Sequence, residues 1–304
     1  MAAIVLRISL GVVDMGRSVL CCVFSLFLST VFAAQAPSGT YAQKLLIDLA
    51  KANPQLLAAA ISATPPKSSD SIVIASTDPS VIGAKPDPAD VTVAGTGKIA
   101  VVASAVPGRL DVHLPLHDVS GDTIGALTLS YPNQAGADRA ALEQSAERIR
   151  DALHRRISHA GNLFDPYPYD PEVATNTYAQ KLVDEFMDKY PEIEIFAIHA
   201  TPPDSDYNVI AGSNIGRIGK KADNDDMRCV FTGKPNLEIN STGKRFESEM
   251  QLHDRAGRVI GAVGIVVAYK KGDDRQALHA HAEQIRAELE KRIADSSSLF
   301  RPAS

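Results

Sequence analysis

The chain states nearly the same sequence twice, and no other feature limits its possible folds as strongly. TYAQKLL at Thr40–Leu46 returns as TYAQKLV at Thr177–Val183, and ATPP at Ala63–Pro66 returns at Ala200–Pro203, an offset of 137. After a slip of one residue the offset is 136. It then pairs Ile82-Gly83 with Ile218-Gly219, Gly97-Lys98 with Gly233-Lys234 and Leu116-His117-Asp118 with Leu252-His253-Asp254. It also pairs Ile124-Gly125 with Ile260-Gly261, and Leu163-Phe164 with Leu299-Phe300. A period this long is a whole domain, not the shorter unit of a solenoid. The 304 residues divide into a leader over 1–36, a first repeat over 37–164, a linker over 165–176 and a second repeat over 177–304. Each repeat is long enough to bury its own core.

Arg7 and Arg17 precede an apolar run from Val19 to Ala34 that ends in small residues around Ala33 and Ala36. A positive flank, a short apolar core and a small-residue exit describe a secretory signal peptide. The run is shorter than the ~20 residues a spanning helix needs. The expectation is therefore cleavage and a periplasmic or secreted product, with no membrane attachment after cleavage. The net charge of −5 falls to −6 once Arg7, Asp14 and Arg17 are removed, which gives no electrostatic reason to seek nucleic acid. Cys229 alone remains beyond the leader, so no internal disulfide is expected; its counterpart Val93 argues for a small buried residue.

The second repeat is the easier to read. Thr177 can cap a helix running to Lys189 or Tyr190, with Tyr178, Leu182 and Phe186 on one face. Strand-like runs follow at Ile193–His199 and Asn208–Gly212, then at Arg228–Thr232, Arg245–His253 and Arg258–Tyr269. Asp254-Arg255-Ala256-Gly257 between the last two is a hairpin signal. A closing helix opens at Asp273 or Asp274 and carries Leu278, Ala282, Ile285, Leu289 and Ile293. Repeat one places Leu142, Ala146, Ile149, Leu153 and Ile157 at the same spacing. The stripe fits docking on its own sheet better than a dimer seam, because it lasts only about two heptads. The expected class is α+β: two tandem domains, each an antiparallel sheet with a lead-in helix and a closing helix. Pro166, Pro168 and Pro171 should stiffen the linker.

VIAG at Val209–Gly212, RIGKKAD at Arg217–Asp223, TGKP at Thr232–Pro235 and LHDRAGRVIGAVGIVV at Leu252–Val267 together resemble the extracytoplasmic Cache domains, the PAS-like sensor modules of bacterial receptors. LHDVSGDTIGALTLS at Leu116–Ser130 repeats the last of these pieces. The resemblance implies a small-ligand-binding sensor fold, with the ligand held between the sheet and the loops over it.

The loop 214–226 is the most polar concentration in the chain. Arg217, Lys220 and Lys221 are donors there, and Asp223, Asp225 and Asp226 are acceptors, a mixture suited to a zwitterionic or carboxylate ligand. Repeat one keeps Lys85, Asp87 and Asp90 but has Ala84, Pro88 and Ala89 where repeat two has Lys220, Asn224 and Asp225, so repeat two is the expected working copy. Asp223–Asp226 lacks the spaced acidic pattern of a calcium loop. Asp254 either accepts from a ligand amine or bonds its own hairpin backbone. His199, with Tyr207 near it in sequence, is either a pocket residue or a satisfied structural histidine. His113 and His117 are four apart on a strand, about 13 Å, too far to share a metal. The candidate ligand-binding set is thus Arg217, Lys220, Lys221, Asp223, Asp226, Asp254, His199 and Tyr207, with no catalytic residue, metal or cofactor.

None of the recognisable nucleophile, zinc or phosphate motifs is present in the sequence. The expected function is non-covalent binding of a small molecule, of the amino acid or organic acid class, read by a protein partner or a second copy. The alternative is an interaction module whose paired domains dock a protein without ligand; a hydrolase of unrecognised type comes third.

Overall fold

The computed structural model describes residues 39–134 and 138–303; the leader and its cleavage site lie outside them. The first repeat runs β1 (Gly39–Thr40), α1 (Tyr41–Ala52), β2 (Ala58–Ala63), β3 (Ile72–Ser76), α2 (Pro88–Thr96), β4 (Ala100–Ala103), β5 (Arg109–His117), β6 (Thr123–Pro132) and α3 (Arg139–His154). After β7 (Pro166–Tyr167), the second runs α4 (Tyr178–Lys189), β8 (Ile193–Ala200), β9 (Val209–Ser213), α5 (Asn224–Thr232), β10 (Asn236–Ile239), β11 (Arg245–His253), β12 (Val259–Ala268) and α6 (Arg275–Glu290).

The two five-stranded sheets have the same order, β3-β2-β6-β5-β4 and β9-β8-β12-β11-β10, with every neighbour antiparallel. The second strand of each five-stranded sheet, β3 or β9, thus lies at one edge, and the last, β6 or β12, lies in the centre. Both lead-in helices start where a threonine hydroxyl accepts from a backbone N–H three residues on, Thr40 from Gln43 and Thr177 from Gln180. Asp274 opens α6, and Asp138 opens α3 in the same way.

One run expected as a strand is a helix. Residues 228–232 belong to α5, because the Asp223 side chain accepts from the N–H groups of Asp225 and Asp226 while Asp226 accepts from the N–H of Asp223. This reciprocal capping starts the helix at Asn224, inside the polar segment, and Gly233 at φ +67° ends it. In repeat one Asp87, accepting from the N–H of Ala89, opens α2 without the reciprocal bond, and Gly97 at φ +70° ends it.

Each sheet buries one face under its lead-in and closing helices. Val112, Leu114 and Leu116 of β5 and Leu127, Leu129 and Tyr131 of β6 pack with Leu45, Leu46 and Leu49 of α1 and with Ala146, Ile149 and Leu153 of α3. In repeat two Phe196, Ile198, Met250, Leu252, Val263 and Ile265 meet Leu182, Val183, Phe186, Ala282, Ile285 and Leu289. The closing-helix stripe therefore docks on its own sheet. Strand alternation sends the intervening residues to the opposite face, where α2 lies over β5 and β6, and α5 lies over β11 and β12.

The paired Ile-Gly motifs have a steric cause. A Cβ on Gly125 would sit 2.2 Å from the carbonyl oxygen of Ser62, and one on Gly261 would sit 1.8 Å from that of His199. Only glycine lets the central strand pass the strand beside it at these points. The motif thus marks the place where Ser62 and His199 are presented.

The repeats also share a seam. Each lead-in helix is clasped by the tail of its own repeat, Tyr41 N–H donating to Asp165 O and Tyr178 N–H to Arg301 O, both at 2.8 Å. Residues 214–217 of repeat two then reach repeat one. Asn214 Nδ2 donates to Arg155 O at 2.8 Å, Asn162 Nδ2 donates to Ile215 O at 3.1 Å, and Arg217 Nε donates to Asp165 Oδ2 at 2.7 Å. Gly216, at φ +71°, lies against the ring of Tyr41, which would stand 2.6 Å from any Cβ there.

Candidate functional site

On the face covered by α2 and α5, both repeats bury ionisable groups at matching positions. The offsets that align the sequences pair Ser62 with His199, Asp90 with Asp226, His113 with Glu249 and Thr128 with Gly264. In each repeat one group comes from the strand second from the edge, one from the covering helix and one from the β5 or β11 strand.

In repeat one the cluster is drawn together on Asp90, and His113 Nε2 on the far side of the ring is buried without a partner. His113 Nδ1 lies 2.7 Å from Asp90 Oδ1, Ser62 Oγ donates to Asp90 Oδ2 at 3.0 Å, and Thr128 Oγ1 also donates to Asp90. Burial works to lower the His113 pKa, but the hydrogen bond and charge of Asp90 outweigh it and raise it above the ordinary value. Beside this cluster is a cleft of about 380 Å³ between α2 and the β2–β6 pair. Ser62, Asp90, Val91, Ala94, Gly125 and Ala126 are on its walls.

In repeat two the groups are His199, Asp226 and Glu249, each offering one donor atom, and these atoms all lie within 4.8 Å of one another. Burial and the neighbouring Asp226 carboxylate push Glu249 up to about 10, so its protonated carboxyl bonds Asp226 at neutral pH. Burial opposes the Asp226 charge, yet the bond with Glu249 and the nearby His199 hold its carboxyl below the usual range. His199 is lowered by burial, with Asp226 opposing. Its Nδ1 is buried and has no hydrogen-bond partner.

The residues expected from the sequence are thus divided. His199 and Asp226 come together, and the field of Lys220 reaches both. Asp223 caps α5 beside them. Lys221 Nζ sits 3.6 Å from the centroid of the Tyr207 ring, an exposed pairing at the start of the same segment. Arg217 is engaged by Asp165 in the seam, so it ties the repeats together instead of standing free for a ligand. Asp254 takes its structural alternative: it accepts from the N–H groups of Ala256 and Arg258 and from Arg258 Nε, which satisfies its carboxylate within the hairpin. Cys229 is buried, as its apolar counterpart Val93 suggested, and donates to Glu249 O.

Glu249 was missed in the sequence, along with the roles of Asp90 and His113. The signal was there: Glu247 and Glu249 are two apart on β11 and so share one face of the sheet, and the 136 offset sets Glu249 opposite another ionisable residue. The cleft likewise lies in repeat one, whereas the charged loop had pointed to repeat two.

No family model and no curated protein matches the chain. Among solved structures it is similar to a double mutant of the inducer-binding domain of the transcription factor PobR from Acinetobacter, in complex with 3-hydroxybenzoic acid, at 12% identity and a TM-score of 0.23. That match covers 37% of this chain and 95% of the other. It is also similar to PelD from Pseudomonas aeruginosa PAO1, at 16% identity and a TM-score of 0.27 over 85% of this chain and 79% of the other. An extracellular ligand-binding receptor from Desulfohalobium retbaense matches at 12% identity and a TM-score of 0.24, covering 75% of this chain and 33% of the other. Likenesses this low carry no argument about function.

Proposed function

We propose that the chain is an exported, sensor-type binding protein of two tandem PAS-like modules of the Cache kind, taking a small ligand without chemistry of its own. The observation that carries this reading is the cleft of repeat one, about 380 Å³ with Asp90 and Ser62 on its wall. A core would fill that face of the sheet with apolar side chains, because burying ionisable groups lowers stability unless each is matched. The volume falls in the range of small-ligand sites. Asp90 Oδ2, which accepts from Ser62 while His113 and Thr128 occupy Oδ1, together with the hydroxyls of Thr64, Ser71 and Thr123 suits a ligand that brings hydrogen-bond donors, such as the ammonium group of an amino acid.

The seam connects such a site to the rest of the molecule, since each repeat is tied to the linker that joins them. Ligand held under α2 would shift that helix, and a partner protein in the periplasm would read the change. The reading is tested by titrating chelator-treated protein with amino acids, organic acids and purines in a thermal-shift and calorimetric panel. A ligand at 100 times its Kd adds about 2.7 kcal/mol. Ala94→Leu, which fills the cleft, should abolish that gain while leaving the fold intact. A panel without any response refutes the reading and leaves the docking module, for which Phe231, 78% exposed on α5, is the natural contact.

A further inference from the structure

We infer that repeat two is a metal site: His199, Asp226 and Glu249 hold a first-row divalent transition-metal ion. This goes beyond the reading above, which concerns the cleft of repeat one.

Three separate elements converge on the site, with His199 from β8, Asp226 from α5 and Glu249 from β11. Their donor atoms already lie within 4.8 Å of one another. His199 is 7% exposed, and its Nδ1, 3.5 Å from Asp226 Oδ2, is buried with no hydrogen-bond partner. Such a nitrogen is costly to bury, and a cation between it and the carboxylates would satisfy it.

Repeat one supplies the internal comparison. At the same three positions it has Ser62, Asp90 and His113, and there the Ser62 hydroxyl and His113 Nδ1 both bond the Asp90 carboxylate directly. Thr128 completes that set by donating to Asp90. In repeat two its place is taken by Gly264, which has no side chain to donate. The same architecture therefore bonds the imidazole nitrogen that faces the carboxylate in one copy, leaving only the far His113 Nε2 without a partner, and in the other leaves the carboxylate-facing His199 Nδ1 without one.

The donor set selects the ion. Once the ion displaces the proton between Glu249 and Asp226, one imidazole and two carboxylates match the charge of a dication and suit zinc, manganese or ferrous iron. Calcium wants six to eight oxygens, more than these residues offer. With ligand bonds of about 2.0–2.2 Å, donors around a tetrahedral zinc lie about 3.4 Å apart, so the cluster must close by roughly 1.4 Å. Closing it means re-aiming Asp226, whose Oδ2 now accepts from the N–H of Asp223 in the cap of α5. Asp223 and Glu247 add negative field at the site, and Lys220 opposes them. Three protein ligands leave a coordination position for water or for an anionic ligand.

The test is calorimetric titration of the full, chelator-treated chain with ZnCl₂ and MnCl₂, with MgCl₂ and CaCl₂ alongside. One equivalent of zinc or manganese should bind with a micromolar or tighter Kd, and magnesium and calcium should bind far more weakly. Glu249→Gln keeps size and a hydrogen-bond donor toward Asp226, so it should fold, yet weaken zinc on the order of 100-fold or more. His199→Gln should do the same, and circular dichroism without metal checks both folds. Absence of zinc and manganese binding, equal binding of calcium, or an isotherm untouched by Glu249→Gln overturns the inference. The two readings fail separately. Organic-ligand binding in chelator with no response to zinc removes the metal site alone, and zinc binding with a silent organic panel removes the cleft alone.

Discussion

Replacing Glu194 with glutamine should make the protein more stable in alkali and change nothing in acid. Glu194 stands on β8, and its Oε2 is buried without a hydrogen-bond partner. Burial pushes its carboxyl up to about 7; Asp118 of repeat one adds to the shift, and Arg245 opposes it without forming an ion pair. Against an unfolded value of 4.5, a rise to about 7 corresponds to about 3 kcal/mol at 1.36 kcal/mol per unit. The side chain is only partly enclosed, so solvent screening reduces this to about 1–2 kcal/mol. The folded pKa is raised, so the full stability is present below about pH 4.5 and is lost as pH rises through 7. Glutamine does not titrate. Urea unfolding followed by circular dichroism at pH 4.5, 6, 7 and 8 should therefore give coincident curves at the acid end. At pH 8 the Glu194→Gln chain should be ahead by about 1–2 kcal/mol. A difference independent of pH, or a wild type more stable at pH 8, would show that Arg245 compensates the carboxylate and would refute the reasoning.

Three further outcomes are expected. Gly261→Ala sets a Cβ against the His199 carbonyl and should cost about 2–4 kcal/mol in urea unfolding; a near-neutral result would mean β12 can draw back from β8. Arg217→Ala removes the partly buried bond to Asp165 and should lower stability by about 1 kcal/mol, with faster proteolysis within 165–176; unchanged cleavage would place the strength of the seam elsewhere. Asp90→Asn removes the charge that raises His113, so the imidazole resonance should titrate at lower pH than in the wild type. An unmoved titration curve would mean that the 2.7 Å contact in repeat one does not govern His113.

The duplication made most of the fold legible. Apolar residues at strand alternation and helical spacing appear twice, which is why the sheets, the lead-in helices and the closing helices could be read from spacing alone. Residues 228–232 resisted, because Cys229, Val230 and Phe231 look like a strand until the reciprocal Asp223–Asp226 capping is recognised as a helix start. The site was half legible. His199 and Asp226 were visible as polar residues at the end of a strand and in a charged loop. Glu249 sits in the mixed strand RFESEMQLH, where only tertiary packing brings it beside Asp226. Arg217 and Asp254 misled for the opposite reason: charged residues beside glycines advertise a ligand loop, and here they hold a seam and a hairpin together.

Native mass spectrometry of the protein purified from its own host tests the central claim most directly. The account predicts that the wild type carries a bound small molecule or metal ion above the mass of its chain. The metal component should be absent from Glu249→Gln, and the organic component absent from Ala94→Leu. A bare chain in every sample, remaining bare after incubation with zinc and with the organic panel, would contradict it.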